Sequence, residues 1–219
     1  GRLALDGGQR LTGQRLTGQR LTGELVLTGV QHRQGRLTEL AGPVNVLRDA
    51  AGLTMEADLV ASGLTLAEPR LTALIGDEAR IAVQARAVGE SYQLDRLHLT
   101  TPAVSLTATG AIEAGHPQFV TQLDLTDVGR LRSDLSGPLS VSVTSENIDE
   151  YELRIMADQL VWPEAGLGFL DGLVATGQIV RQGDDWLFTD GELLGQALDL
   201  DVSGQIGSGD WAVVVAGAV

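Results

Sequence analysis

Histidine, cysteine and serine are the residue types most often used for metal binding and nucleophilic catalysis, and this chain of 219 residues arranges none of them in a known motif. Its three histidines, His32, His98 and His116, lie far apart and share no zinc-binding spacing. There is no cysteine, which excludes a disulfide framework, a thiolate metal site and a thiol nucleophile. The nucleophile elbow of hydrolases, the phosphate-binding loop and the dinucleotide-binding glycine motif are also missing. We therefore expect no catalytic residue, no metal site and no cofactor.

Two pairs of carboxylates are the remaining candidates for acid–base chemistry or calcium binding: Asp184 with Asp185, and Asp199 with Asp201. Calcium takes about six to eight oxygen ligands, and no further acids accompany either pair at a suitable spacing. Aspartates two residues apart on a strand share one face, where exposed charge opposes edge-to-edge aggregation. We interpret the pairs as solvent-facing carboxylates.

The charge balance excludes one class of partner. The chain has 15 basic residues, all arginine, against 29 acidic residues, for a net charge of −14. Nucleic-acid binding depends on clustered lysine and arginine, so we expect no nucleic-acid partner.

The longest apolar run, 211–219, has about half of the roughly 20 residues that a membrane helix needs, so we expect no membrane span in this sequence. The chain begins Gly1-Arg2-Leu3 without Met or a leader, and we expect it to be a piece of a longer protein.

Apolar and polar residues alternate in one short segment after another, which is typical of half-buried β-strands. The clearest alternating segments are Leu53–Leu59, Ala79–Ala87, Val104–Ala108, Leu139–Thr144, Tyr151–Ile155 and Leu198–Val202. Glycine and proline turn signals separate them at intervals too short for crossover helices, so the connections are predicted to be hairpins. The pattern predicts an all-β fold built on an antiparallel sheet.

Two segments interrupt the period of two and predict one or two short helices. Glu68–Gly76 has a proline near its start and a glycine at its end, and Asp127–Ser133 begins with a capping aspartate. We expect these helices to cover the open end of a sheet.

Two internal repeats are visible. A shift of 94 positions aligns residues 81–112 with 175–206 without a gap and preserves the phase of alternation, which predicts a duplicated structural unit. The alternative is that any two antiparallel meanders share alternation and turn glycines.

The pentapeptide Gly-Gln-Arg-Leu-Thr also occurs three times between Gly8 and Thr22. Because an odd period alternates the face of successive leucines, residues 1–23 are predicted to be an irregular lead-in and 24–219 the repetitive sheet.

The inner face of the predicted sheet is mainly aliphatic, because aromatic residues make up only 4% of the chain and Leu, Val, Ile and Ala fill most of the alternating positions. Its candidate lining residues are Leu53, Met55, Ala57, Leu59, Ile81, Val83, Val104, Leu106, Val141, Val143, Leu153, Ile155, Trp186, Phe188, Leu198, Leu200 and Val202. Such a face needs a cover from another sheet, from helices or from a ligand without polar groups. The pattern alone fits an open apolar groove and a closed sandwich or barrel core equally well.

A family resemblance is carried by Ala67–Gly76, by Leu106–Gly110, and by Asp127–Leu131 leading into Leu135–Val141. These stretches resemble the TamB family, the inner-membrane subunits of the translocation and assembly module, within the wider AsmA-like, repeating β-groove group. The resemblance extends from about residue 24 onward and rests on degenerate Leu-x-Leu, Thr-Gly and Ser-Gly-Pro motifs.

The resemblance implies a long curled antiparallel sheet, the β-taco, whose apolar concave face forms a groove across the periplasm of a Gram-negative bacterium. It further implies an anchor in the inner membrane, phospholipid acyl chains as ligands, and a BamA-like outer-membrane barrel of the TamA type as partner, both attachments lying outside this sequence. The expected role is non-enzymatic: phospholipid transport to, or protein assembly in, the outer membrane.

Two other function classes make different demands. A surface adhesin or autotransporter-type β-solenoid would have a tightly filled interior and repeats of roughly 20 to 30 residues. A glycan-processing enzyme would need paired carboxylates beside exposed aromatic residues, and Trp162, Trp186 and Trp211 have no carboxylate pair in register.

Overall fold

The computed structural model describes residues 4–5, 9–17, 20–113, 115–161, 169–183, 185–195, 198–206 and 211–218. The chain divides into two units, Gly1–Ala114 and Gly115–Val219, which are called unit 1 and unit 2 below. Each unit is built mainly from antiparallel β-strands.

Unit 1 contains one short helix among its strands. Its elements are β1 (Ala4–Leu5), β2 (Gln9–Thr17), β3 (Arg20–His32), β4 (Gly35–Asp49), β5 (Gly52–Ser62), β6 (Thr65–Leu66), α1 (Pro69–Ile75), β7 (Glu78–Val88), β8 (Ser91–Thr100) and β9 (Val104–Glu113). The strands lie in the order β3-β4-β5-β7-β8-β9, with β1 and β2 both paired to β3 and β6 paired to β4. From β3 to β9 the main strands are therefore neighbours in chain order, and their connections are short, as the turn signals predicted, except between β5 and β7, where the connection contains β6 and α1.

Unit 2 follows the same scheme. Its elements are β10 (His116–Leu125), a 3₁₀ helix (Val128–Arg130), β11 (Leu139–Ser145), β12 (Glu150–Ala157), β13 (Leu160–Val161), β14 (Phe169–Leu170), β15 (Leu173–Gln182), β16 (Asp185–Gly195), β17 (Leu198–Ile206) and β18 (Trp211–Ala218). The main sheet has the order β10-β11-β12-β15-β16-β17-β18, and β13 pairs with β14. The predicted fold class, an all-β antiparallel sheet with one or two short helices, is confirmed. Over the described ranges, no helix combines the length and the hydrophobicity needed to traverse a lipid bilayer.

Helix α1 forms where the early proline and the final glycine of Glu68–Gly76 predicted it. The Glu68 carboxylate accepts a hydrogen bond from the backbone N–H of Arg70 at 3.3 Å, and Pro69 occupies the first helical position, where a missing N–H costs nothing. The helix ends at Gly76, whose φ of 80° suits glycine and whose N–H donates to the carbonyl of Thr72 at 2.8 Å.

The second predicted helix is shorter than the interval Asp127–Ser133 suggested. Asp127 Oδ1 accepts hydrogen bonds from the N–H groups of Gly129 at 2.9 Å and of Gly137 at 3.1 Å. The N–H of Val128 also donates to the carbonyl of Gly137 at 2.8 Å. Because these bonds fold the chain back on itself, a single 3₁₀ turn replaces a longer helix.

The pentapeptide repeats lie partly in β2, which pairs with β3. Leu11 is registered opposite Leu25 and Leu16 opposite Leu21, although the two leucines of β2 lie five positions apart. A register shift between Thr12 and Arg15 adds one residue to β2 and compensates for the odd period.

The two segments aligned by the shift of 94 positions share a bulge, and their strand limits agree to within one residue. In unit 1 the register of β8 with β9 shifts between Leu94 and Leu97, and in unit 2 the register of β16 with β17 shifts between Phe188 and Gly191. These positions coincide under the predicted alignment. A shared irregularity favours duplication over two unrelated meanders, because alternation alone does not place a bulge. The duplicated unit stays a prediction.

Candidate functional site

The strand register gathers the predicted lining residues of unit 1 on one face, called here the apolar face of unit 1. Directly paired residues of antiparallel strands lie on the same side of a sheet. Leu59 pairs with Ile81, Ile81 with Leu99, and Leu99 with Leu106, which forms a continuous apolar row across four strands. Along β5, β7, β8 and β9 the register pairs of this face include no charged residue.

The apolar face of unit 2 is formed in the same way. Val141 pairs with Ile155, Ile155 with Ala175, and Leu193 with Leu200. The remaining candidates of this unit share the face by register: Val143, Leu153, Trp186, Phe188, Leu198 and Val202. Leu198 is registered opposite Gly195, and its side chain lies outside the described residues.

The candidate residues are neither sealed in a core nor fully exposed. Leu59 and Val104 are buried, with 9% and 6% of their surface exposed, whereas Leu53 and Met55 are 43% and 37% exposed. The other candidates with described side chains are half-buried: Ala57, Ile81, Val83, Leu106, Val141, Val143, Leu153, Ile155, Trp186, Phe188, Leu200 and Val202. No large side chain in the described part of the chain is fully buried. A closed sandwich core would bury such residues almost completely, so both apolar faces are partly open.

Burial in unit 1 is concentrated at one end of the strands. The end nearest α1 holds Ala61, Ala79 and Ala103, which are at most 4% exposed, and the helix contributes the buried Leu74. At the opposite end, Tyr92 and Ile112 are paired on the apolar face and are 57% and 43% exposed. The apolar face of unit 1 is thus closed at the helix end and open at the other end.

Unit 2 has a closed end of its own. Val128, Ala157 and Leu160 form a buried cluster, against which Leu135, Leu139 and Leu173 pack. Val128 belongs to the 3₁₀ helix, Ala157 ends β12, and Leu160 begins β13. Leu139 and Leu173 begin β11 and β15, and Leu135 lies between the 3₁₀ helix and β11. The segments between the strands therefore cover this end of the face.

Aromatic residues mark the other end of the unit 2 face, called here the aromatic end. The ring centroids of Phe119 and Tyr151 lie 5.9 Å apart, and those of Tyr151 and Trp186 lie 5.5 Å apart. The guanidinium carbon of Arg181 lies 5.8 Å from the Trp186 ring. The lining predicted from the sequence included Trp186 but not Phe119 or Tyr151, although the alternation of Tyr151–Ile155 already placed Tyr151 on the apolar side.

The polar faces hold the other groups that could do chemistry. A cavity of about 310 Å³ lies on the polar side of unit 1, between side chains that include Asn45, Glu56, Asp58 and Arg96. His98 is on the same side, with Nε2 3.0 Å from the hydroxyl of Thr100. The described residues contain no group of three or more histidine or acidic side chains placed to hold a metal ion.

The carboxylate pairs considered above lie apart from the apolar faces or outside the described chain. Asp199 and Asp201 are exposed, and their register partners on β16 are Leu194 and Glu192. Asp185 accepts a hydrogen bond from Gln205 at 2.9 Å, while Asp184 lies outside the described residues.

Comparison with protein-family models, curated proteins and solved structures found no match to this chain.

Proposed function

We propose that this chain is a periplasmic segment of a TamB-like or AsmA-like envelope-biogenesis protein of a Gram-negative bacterium. Its apolar faces would hold phospholipid acyl chains during lipid transport to, or protein assembly in, the outer membrane. The inner-membrane anchor and the BamA-like barrel partner of this proposal lie outside the sequence. The observation that carries it is the partial exposure of both apolar faces: Leu53 and Met55 of unit 1 are 43% and 37% exposed, and the candidates of unit 2 with described side chains are half-buried.

The chemistry of these faces suits hydrocarbon. Acyl chains offer no hydrogen-bonding groups, and the register pairs across β5, β7, β8 and β9 present no charge to them. Removing apolar surface from water contributes about 25 cal/mol per Å², so covering roughly 300 Å² would contribute about 7.5 kcal/mol. A ligand without polar demands is therefore the best cover for surfaces that this chain leaves half-buried.

Native mass spectrometry of the purified chain, followed by lipid extraction, tests the proposal through Leu106→Asp. Leu106 is half-buried and pairs with Leu99 in the middle of the unit 1 face. A carboxylate there would have to be desolvated against acyl chains, so we expect co-purifying phospholipid to fall at least about tenfold.

Thr107→Asp is the matched control, because it adds the same charge one residue away on the opposite face. Thr107 is exposed and pairs with His98. We expect this variant to keep its lipid, and circular dichroism checks that both variants retain the strand content of the wild type. A wild-type chain that takes up no phospholipid from vesicles, or a folded Leu106→Asp variant that retains wild-type levels, contradicts the proposal and favours an adhesin or scaffold.

A further inference from the structure

The apolar face of unit 2 differs between its two ends. The closed end is sealed by Val128, Ala157 and Leu160, each at most 7% exposed. The aromatic end carries Tyr151 and Trp186, side chains that join an apolar ring to a polar group. Residues of this kind are favoured where hydrocarbon meets water.

The charge on this face is also at the aromatic end. Arg181 pairs with Trp186, and it is the one charged residue that the described register pairs place on the apolar face of unit 2. Its side chain is exposed, and its Nε donates a hydrogen bond to the carbonyl of Gly183 at 3.0 Å. A guanidinium beside an indole ring can bind a phosphate with charge-assisted hydrogen bonds while the ring faces apolar material.

The distance between the ends suits one acyl chain. Tyr151 is the second residue of β12 and Ala157 is its last, and the six residue steps between them, at about 3.3 Å each, span roughly 20 Å. One leaflet of a bilayer is about 15 Å of hydrocarbon, half of a core of about 30 Å. An extended acyl chain can therefore lie along the strand from the aromatic end to the closed end.

From these features we infer that unit 2 binds phospholipid with a fixed polarity. The phosphate lies at Arg181 and Trp186, the acyl chains lie along the strands, and the terminal methyl groups lie at the closed end near Leu139. This inference rests on the proposed lipid-binding function and adds a direction and a headgroup contact to it.

Fluorescence quenching by brominated phosphatidylcholine in vesicles tests the polarity. One reporter chain keeps Trp186 and carries Trp162→Phe and Trp211→Phe. The other adds Leu139→Trp and Trp186→Tyr, which keeps an aromatic ring with a polar group beside Arg181. We expect Trp186 to be quenched more strongly by bromine near the glycerol than by bromine near the terminal methyl, and the reporter at position 139 to show the opposite order.

Arg181→Gln tests the phosphate contact without relying on either reporter. We expect phosphatidylcholine retention, measured by native mass spectrometry, to fall about tenfold, while retention of diacylglycerol, which has no phosphate, is unchanged. Arg154→Gln is the matched control, because Arg154 is an exposed arginine on the neighbouring strand β12 and pairs with Thr176 on the polar face.

The outcomes separate the inference from the function on which it rests. If the wild type binds no lipid, the proposed function fails. If lipid binds but both reporters show the same order of quenching, or Arg181→Gln retains both lipids as the wild type does, lipid binding stands and the fixed polarity is overturned.

Discussion

Phe188 occupies its place on the unit 2 face because two neighbouring residues lack a Cβ. A Cβ on Gly177 would lie 2.4 Å from Cζ of Phe188, and a Cβ on Gly191 would lie 2.4 Å from Cε1 of the same ring. Both distances are well inside van der Waals contact. The Gly177→Ala variant must therefore displace the ring, and we expect a loss of roughly 1–3 kcal/mol in the free energy of unfolding, measured with urea.

The aligned positions of unit 1 indicate which second substitution would relieve the clash caused by Gly177→Ala. Under the shift of 94 positions, Gly177 corresponds to Val83 and Phe188 to Leu94, an aliphatic pair without glycine. We therefore expect the double variant Gly177→Ala, Phe188→Leu to lose less free energy of unfolding than the two single variants lose when their losses are added. Additive losses in this double-mutant cycle would mean that the two side chains do not compete for the same space.

Helix α1 is held to β6 by one hydroxyl. Thr72 Oγ1 accepts a hydrogen bond from the N–H of Leu66 at 2.9 Å and donates to the carbonyl of Leu66 at 3.3 Å. The nearly isosteric Thr72→Val change removes both bonds and leaves a half-buried N–H without that acceptor. We expect a loss of about 1–3 kcal/mol in denaturant unfolding and faster hydrogen exchange at the Leu66 amide. Thr107→Val, at an exposed position, serves as the control, and an unchanged exchange rate at Leu66 would contradict this role of Thr72.

The elements differ in how far the sequence could predict them. Local signals sufficed for α1, since Glu68, Pro69 and Gly76 each act within a few residues, and for the strands, whose alternation follows from the pleat. The bulge at Leu94–Leu97 was not predicted, because it depends on how two neighbouring strands register. The aromatic end was missed for the same reason: Phe119, Tyr151 and Trp186 lie on three separate strands and meet only through long-range pairing.

At the scale of the whole molecule, alternation alone could not decide between an open face and a sealed core, because both need the same apolar residues at the same period. That difference lies in what covers the face, which depends on tertiary packing rather than on local sequence. The charge distribution, by contrast, is fully readable from the sequence. Residues 1–50 carry seven arginines against four acids, whereas the remainder carries eight arginines against 25 acids.

For the proposed lipid-binding function, this charge distribution predicts a preference among lipids that depends on salt. With a net charge of −14, the chain repels anionic surfaces over about 30 Å at 0.01 M salt but over only about 8 Å at 0.15 M. We therefore expect lipid uptake from phosphatidylglycerol vesicles to be weaker than from phosphatidylcholine vesicles at low salt, and to rise as salt is added. Uptake from the zwitterionic vesicles is the internal control and should change little. Stronger uptake from anionic vesicles at low salt would show instead that the arginines of residues 1–50 govern the encounter, since local charge would then outweigh net charge.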